Sequence, residues 1–132
     1  MEKVILYNWK RIAIMELSNF RASNHLPNNC ISFETMISKS IFNAYTTIHT
    51  SIESLQKFQS DIAKLLKQNS YHVVFVSSDN ALRIELNDDP AGHVYQKIEL
   101  KADEMNCLTI NDYFDKTFLH YCPLKIAYSS LK

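Results

Sequence analysis

Side chains able to do chemistry are plentiful in this 132-residue chain, yet their spacing does not bring them together. Histidines stand at His25, His49, His72, His93 and His120, with no H-x-H or H-E-x-x-H pattern among them. His120 and Cys122 are two apart, which falls short of the multiple spaced ligands that a zinc site needs. Cys30, Cys107 and Cys122 are odd in number and far apart, so neither a C-x-x-C motif nor a disulfide framework is expected. Cys107 with His93 or His120 would supply a nucleophile and its base. A buried, structural Cys107 is the plainer expectation. Ser77 and Ser78 follow an apolar run but lack the glycines of a nucleophile elbow. Asp88-Asp89 and Asp103-Glu104 fall at turns, where such side chains bond local backbone. A glycosidase-like carboxylate pair stays open, because nothing in the spacing selects two acids from fourteen.

The chain has a single glycine, Gly92, where roughly nine would be usual. Neither a dinucleotide fingerprint nor a P-loop can be built without several glycines. The calcium loop that needs glycine at its sixth position is also absent. The residues present no catalytic constellation, and no metal and no cofactor are expected.

Charge points the same way. Fourteen basic residues balance fourteen acidic ones, which argues against a nucleic-acid binder. The balance is uneven along the chain. Asp79 to Lys116 holds nine acids (Asp79, Glu85, Asp88, Asp89, Glu99, Asp103, Glu104, Asp112, Asp115) against Arg83, Lys97, Lys101 and Lys116. Such a segment could steer a basic partner. No basic region followed by a long apolar stretch opens the sequence, and no run approaches a membrane span. A cytoplasmic chain is expected.

These residues must be positioned by an α+β domain, read as one unit over 1–132 because no linker or repeat divides it. Strands are predicted at Val4 to Trp9, Ile12 to Ser18, Cys30 to about Ile37, and Ile41 to His49, with a loop from Ser23 to Asn29. Ile52, Leu55, Phe58, Ile62, Leu65 and Leu66 then recur at helical spacing. Thr50 and Glu53 match a capping box, and Lys64 and Lys67 suit the last turn. A four-stranded antiparallel meander should follow, starting with Tyr71 to Ser77. Next come Leu82, Ile84 and Leu86, then Val94, Ile98 and Leu100 interrupted by Gln96, then Leu108, Ile110 and Phe114 interrupted by Asp112. The tail from Phe118 to Leu131 is expected to hold short helix broken by Pro123. The order is β-β-β-(β)-α-β-β-β-β-(α), with one central amphipathic helix.

Alternation places Arg83, Glu85, Tyr95, Lys97, Glu99, Thr109, Asn111 and Tyr113 on one outward face of that meander. Tyrosines among charges suit a protein interface, since each adds contact area with a polar handle. The expected partner-binding residues are Arg83, Glu85, Asp88, Asp89, Tyr95, Glu99, Asp103, Glu104 and Tyr113. Asp112 on an apolar row motivates a second reading, a small ligand-binding or enzymatic domain with a pocket between helix and sheet. A structural homo-oligomer is a third.

From Ser51 onward the chain resembles a bacterial family of small WapI-like proteins, named for the immunity partner of a wall-associated contact-dependent toxin. The matching pieces are Ile52-Glu53-Ser54-Leu55-Gln56-Lys57-Phe58, Leu82-Arg83-Ile84-Glu85-Leu86, Gly92-His93-Val94 and Asp115-Lys116-Thr117-Phe118-Leu119. Together they cover about seventy residues in the family's order, although Pro123 stands where a longer helix belongs. The resemblance implies no catalytic residues. It implies a protein that binds and occludes a toxin. Within its motif Gly92 is expected to define the fold through a positive φ, and His93 to be a structural hydrogen-bonder.

Overall fold

In the computed structural model, residues 4–22, 30–39, 42–67, 71–101 and 105–117 are described. The fold is α+β, two antiparallel four-stranded sheets with one helix between them in sequence. The first sheet is a meander of β1 (Val4–Tyr7), β2 (Ala13–Ala22), β3 (Cys30–Lys39) and β4 (Phe42–Ser51). Helix α1 (Ile52–Lys67) follows directly, and β5 (His72–Val76), β6 (Leu82–Asp88), β7 (His93–Lys101) and β8 (Cys107–Asp115) form the second meander. The tail expected to hold helix from Phe118 to Leu131 lies outside the described residues.

Alternating side chains explain both sheets. Ile31, Phe33, Thr35 and Ile37 of β3 all point inward, as do Val73 and Phe75 of β5 and Leu82, Ile84 and Leu86 of β6. One hydrophobic cluster draws on both sheets and on the helix stripe Ile52, Leu55, Phe58, Ile62 and Leu65. Phe58 meets Phe75 of β5 with ring centroids 5.0 Å apart, fixing α1 against the second sheet.

Among the boundaries that differ from the sequence reading, two have a clear local cause here. The helix cap is Ser51, not Thr50: Ser51 Oγ accepts the Ser54 backbone N–H at 3.1 Å, satisfying an orphan donor. Thr50 is still in β4, and its Oγ1 accepts the Ser78 N–H at 3.2 Å. Strand β2 also runs past Ser18 to Ala22, because Asn19 adopts φ 54° and its register shift lets pairing resume at Arg21.

Hydrogen bonds join the two sheets at each end. His49 donates its backbone N–H to Asp79 Oδ2 at 2.9 Å, tying β4 to the β5–β6 turn. Gln96 lies on the inward row of β7, 2% exposed, and its Nε2 donates to the Tyr7 carbonyl of β1 at 2.8 Å. The interruption in the sequence pattern is therefore a polar link between sheets, with its Oε1 left without a partner.

Candidate functional site

Cross-strand register places the outward side chains of the second sheet in three rows. Arg83 pairs with Glu99, which pairs with Thr109; Glu85 pairs with Lys97, then Asn111; Asn87 pairs with Tyr95, then Tyr113. The face expected from alternation is present. Its charges are matched locally: Arg83 meets Glu85 at 3.0 Å and Lys97 meets Glu99 at 3.3 Å, while His72 Nε2 approaches Glu85 at 3.7 Å.

The aromatic row reaches further than the sequence suggested. Tyr95 and Tyr113 have ring centroids 6.2 Å apart, and Trp9 stacks on Tyr113 at 6.4 Å with planes 16° apart. All three are open to solvent, at 54%, 43% and 52% exposure. His93 meets Tyr113 edge-on at 5.9 Å, and Lys10 holds its ammonium 5.0 Å above the Trp9 ring. Trp9 comes from the turn that follows β1 of the other sheet. Strand β1 stops at Tyr7 instead of continuing to Trp9, because Asn8 Oδ1 accepts the N–H groups of Lys10 and Ile12 and turns the chain. Arg11 supplies the positive φ of 61° that a glycine usually would. Asn8 was the available signal, but without glycine or proline beside it the turn is hard to read.

Beside Tyr95 and Tyr113 is an open depression of about 410 Å³, lined by the outward residues Glu85, Asn87, Lys97 and Asn111 and, from the intervening positions, by Gln96 and Asp112. It lies on the outward face of β6, β7 and β8, whereas the ligand reading had looked between helix and sheet. Asp112 is half-buried, and its Oδ1 accepts the adjacent Tyr113 N–H at 2.8 Å.

Several expected partner contacts have other work. Asp88 does not reach the surface: its side chain is 0% exposed, accepts the Tyr71 N–H at 2.6 Å and pairs with Lys116 Nζ at 2.8 Å. Its inward turn at the end of β6 gives the Lys116 ammonium a buried counter-ion, which removes Asp88 from any interface. Asp89 caps the Gly92 turn, with Oδ1 accepting the N–H groups of Ala91 at 2.9 Å and His93 at 3.0 Å. The His93 N–H, and then that of Ala91, hold its carboxyl below the usual aspartate range, despite some opposing desolvation. Asp115 is lowered likewise, chiefly by the Thr117 N–H and hydroxyl. Asp79 bonds the Ser77 hydroxyl and the Ala81 N–H. The acidic balance of this segment thus goes largely into turns and does not make an acidic face. Asp103 and Glu104 lie outside the described residues.

The candidate chemistry resolves in the same manner. Ser77 is buried and donates to Asp79, so it is a turn residue. Cys107 was expected to be buried and is exposed, because it begins the outward row Cys107, Thr109, Asn111, Tyr113. His93 pairs with Asp115 and Lys101 with Cys107, so His93 and Cys107 occupy opposite ends of the β7–β8 ladder. Eight residues of strand, about 27 Å, separate them and exclude a catalytic pair. Gly92 has φ +87°, as its turn requires, and His93 Nδ1 lies 3.5 Å from Asp89 Oδ2. Among the described residues no three His, Cys, Asp or Glu side chains are grouped to hold a metal ion. No described helix is long and apolar enough to cross a membrane. No protein-family model, curated protein or solved structure matches the chain.

Proposed function

We propose that this chain is a non-enzymatic binding module that docks another protein on the outward face of its second sheet. The observation that carries this reading is the row Trp9, Tyr113 and Tyr95, three exposed aromatics linked through Tyr113 and flanked by Asn87 and Asn111. Rigid aromatics supply contact area at low entropic cost, while amides and hydroxyls adapt their hydrogen bonds. Tyr and Trp are also the side chains that most often anchor an interface. The likeness to WapI-like proteins suggests the partner class, a contact-dependent toxin whose active site is occluded in the cytoplasm. Recognition rests on aromatic contact more than on negative charge, since Glu85 and Glu99 already have basic neighbours.

Co-expression with the product of the adjacent gene tests this directly. The two proteins are expected to co-purify, to bury about 800 Å² on each side, and to relieve toxicity. A partner that neither co-purifies nor loses toxicity refutes the reading. So does full binding by a folded Trp9→Ala, Tyr95→Ala double variant.

A further inference from the structure

We propose that a second copy of this chain pairs with the outward face of the second sheet, an inference that rests on reading this face as a docking face. Four charges at its centre carry it. Arg83 and Glu99 are cross-strand partners, as are Glu85 and Lys97 in the next row. The sign also changes along β6 from Arg83 to Glu85, and along β7 from Lys97 to Glu99. The four therefore form a rectangle whose sign alternates in both directions, with sides of about 5 and 7 Å. They balance to zero, and their side chains are between 23% and 47% exposed.

Such a pattern is complementary to its own copy. A two-fold axis in the plane of the face, running across the strands, lays Arg83 over Glu85 of the second copy. The same rotation lays Lys97 over Glu99 of the second copy, and symmetry makes each contact twice. An axis running along the strands sets Arg83 over Glu99 and Glu85 over Lys97, again without a like pair. A strongly basic or acidic partner would meet as much like charge as opposite on these four residues. The contacts already present, Arg83 to Glu85 at 3.0 Å and Lys97 to Glu99 at 3.3 Å, run along each strand within one copy. A guanidinium, an ammonium and two carboxylates keep donors and acceptors beyond those contacts. Two further features agree. The axis across the strands also brings Thr109 over Asn111, hydroxyl to amide, and Tyr95 over the exposed Lys101, ring to cation. The whole chain carries fourteen basic and fourteen acidic residues, so no net charge drives two copies apart. An outside partner then competes with the second copy for one face.

Sedimentation of the intact protein is measured from about 1 µM to 1 mM. A reversible monomer–dimer equilibrium is expected, weakening as salt rises from about 0.05 to 0.5 M. Two face variants then decide the mode. Arg83→Glu, Lys97→Glu makes all four charges negative, and Glu85→Lys, Glu99→Lys makes all four positive. Each alone should stay monomeric, and an equimolar mixture should restore a dimer containing one of each. A dimer kept by either variant alone, or none in the mixture of folded variants, overturns the proposal. Where like charges unfold either protein, Glu85→Gln and Lys97→Gln take their place. Each should weaken the parent dimer about threefold or more, and unchanged dimerisation in both is then the refuting result. Partner capture separates the two levels. A parent monomeric throughout, with capture lost in Trp9→Ala, Tyr95→Ala, removes the second copy and leaves the docking face. Charge-restored dimers with capture intact in that variant keep the second copy and remove the outside partner from this face.

Discussion

Trp9 and Tyr113 stack with centroids 6.4 Å apart, although one belongs to the turn after β1 and the other to β8. This contact joins the two sheets on an exposed surface, where stability alone gives little reason for large aromatics. Replacing Trp9 with alanine should therefore separate stability from binding. Loss of the stacked pair is expected to cost about 1 kcal/mol, read from urea unfolding. Partner affinity should fall by about thirtyfold or more if Trp9 anchors the interface, measured by titration calorimetry. Trp9→Phe keeps a ring and should recover much of both.

The Asp88–Lys116 pair is the reverse case, a charge interaction withdrawn from solvent. The Asp88 side chain is wholly buried and also serves the Tyr71 N–H, so no water replaces a lost partner. Lys116→Met leaves that carboxylate unpaired inside the protein. A loss of about 3–5 kcal/mol is expected. The double variant Asp88→Asn, Lys116→Met removes both charges and should lose less than Lys116→Met alone. Chemical denaturation of the three proteins decides it.

These two relationships mark what periodicity could and could not reveal. The outward face of β6, β7 and β8 was readable because a strand alternates strictly, so Glu85, Tyr95 and Tyr113 had to share a side. The helix stripe was readable for the corresponding reason at its own period. Alternation is silent about contacts between distant segments. It therefore did not place Trp9 beside Tyr113, nor Asp88 against Lys116, and it could not distinguish an acid serving a turn from one facing a partner. Gln96 shows the limit most clearly. As a polar residue on an inward row it looked like a fault in the pattern, and its partner is a carbonyl 89 residues away.

Helix α1 begins where β4 ends, and Ser51 serves both as the last strand residue and as the cap. Ser51→Ala removes the acceptor for the Ser54 N–H and should cost about 1 kcal/mol. Thr50→Ser keeps the hydroxyl that receives the Ser78 N–H and is expected to be milder. Urea unfolding midpoints would order the two. An unchanged midpoint in Ser51→Ala would exclude Ser51 as the cap.

Acid should weaken the β6–β7 turn and the end of β8 together. Asp89 and Asp115 are both held below the ordinary aspartate value, by hydrogen bonds that favour the ionised form. A group depressed on folding contributes stability that is fully present above its unfolded pKa, about 3.9. That contribution is lost as pH falls through the lower folded value. Stability should thus be flat in this respect from pH 7 to about 5 and should decline below about 4. Asp89→Asn keeps an acceptor oxygen for Ala91 and His93 but cannot titrate. Its urea midpoint is expected to depend less on pH between 5 and 3 than that of the parent. An unchanged slope would exclude Asp89 as a source.

Gly92 isolates a backbone effect from packing. An added Cβ would meet nothing within 4 Å, so any cost of Gly92→Ala must come from its φ of +87°. An L-residue in left-handed geometry loses about 1–2 kcal/mol, and asparagine tolerates it better than alanine. The turn cannot readily relax, because the Gly92 carbonyl accepts the Lys116 N–H at 2.9 Å and its own N–H donates to the Asp89 carbonyl at 3.2 Å. Gly92→Ala is therefore expected to lose that amount in urea unfolding, and Gly92→Asn to lose clearly less. Equal losses in the two variants would mean that the turn tolerates no side chain, whatever its conformational preference. No loss in either would show that Lys116 follows the turn into a new conformation, detectable as a shift of its backbone amide resonance.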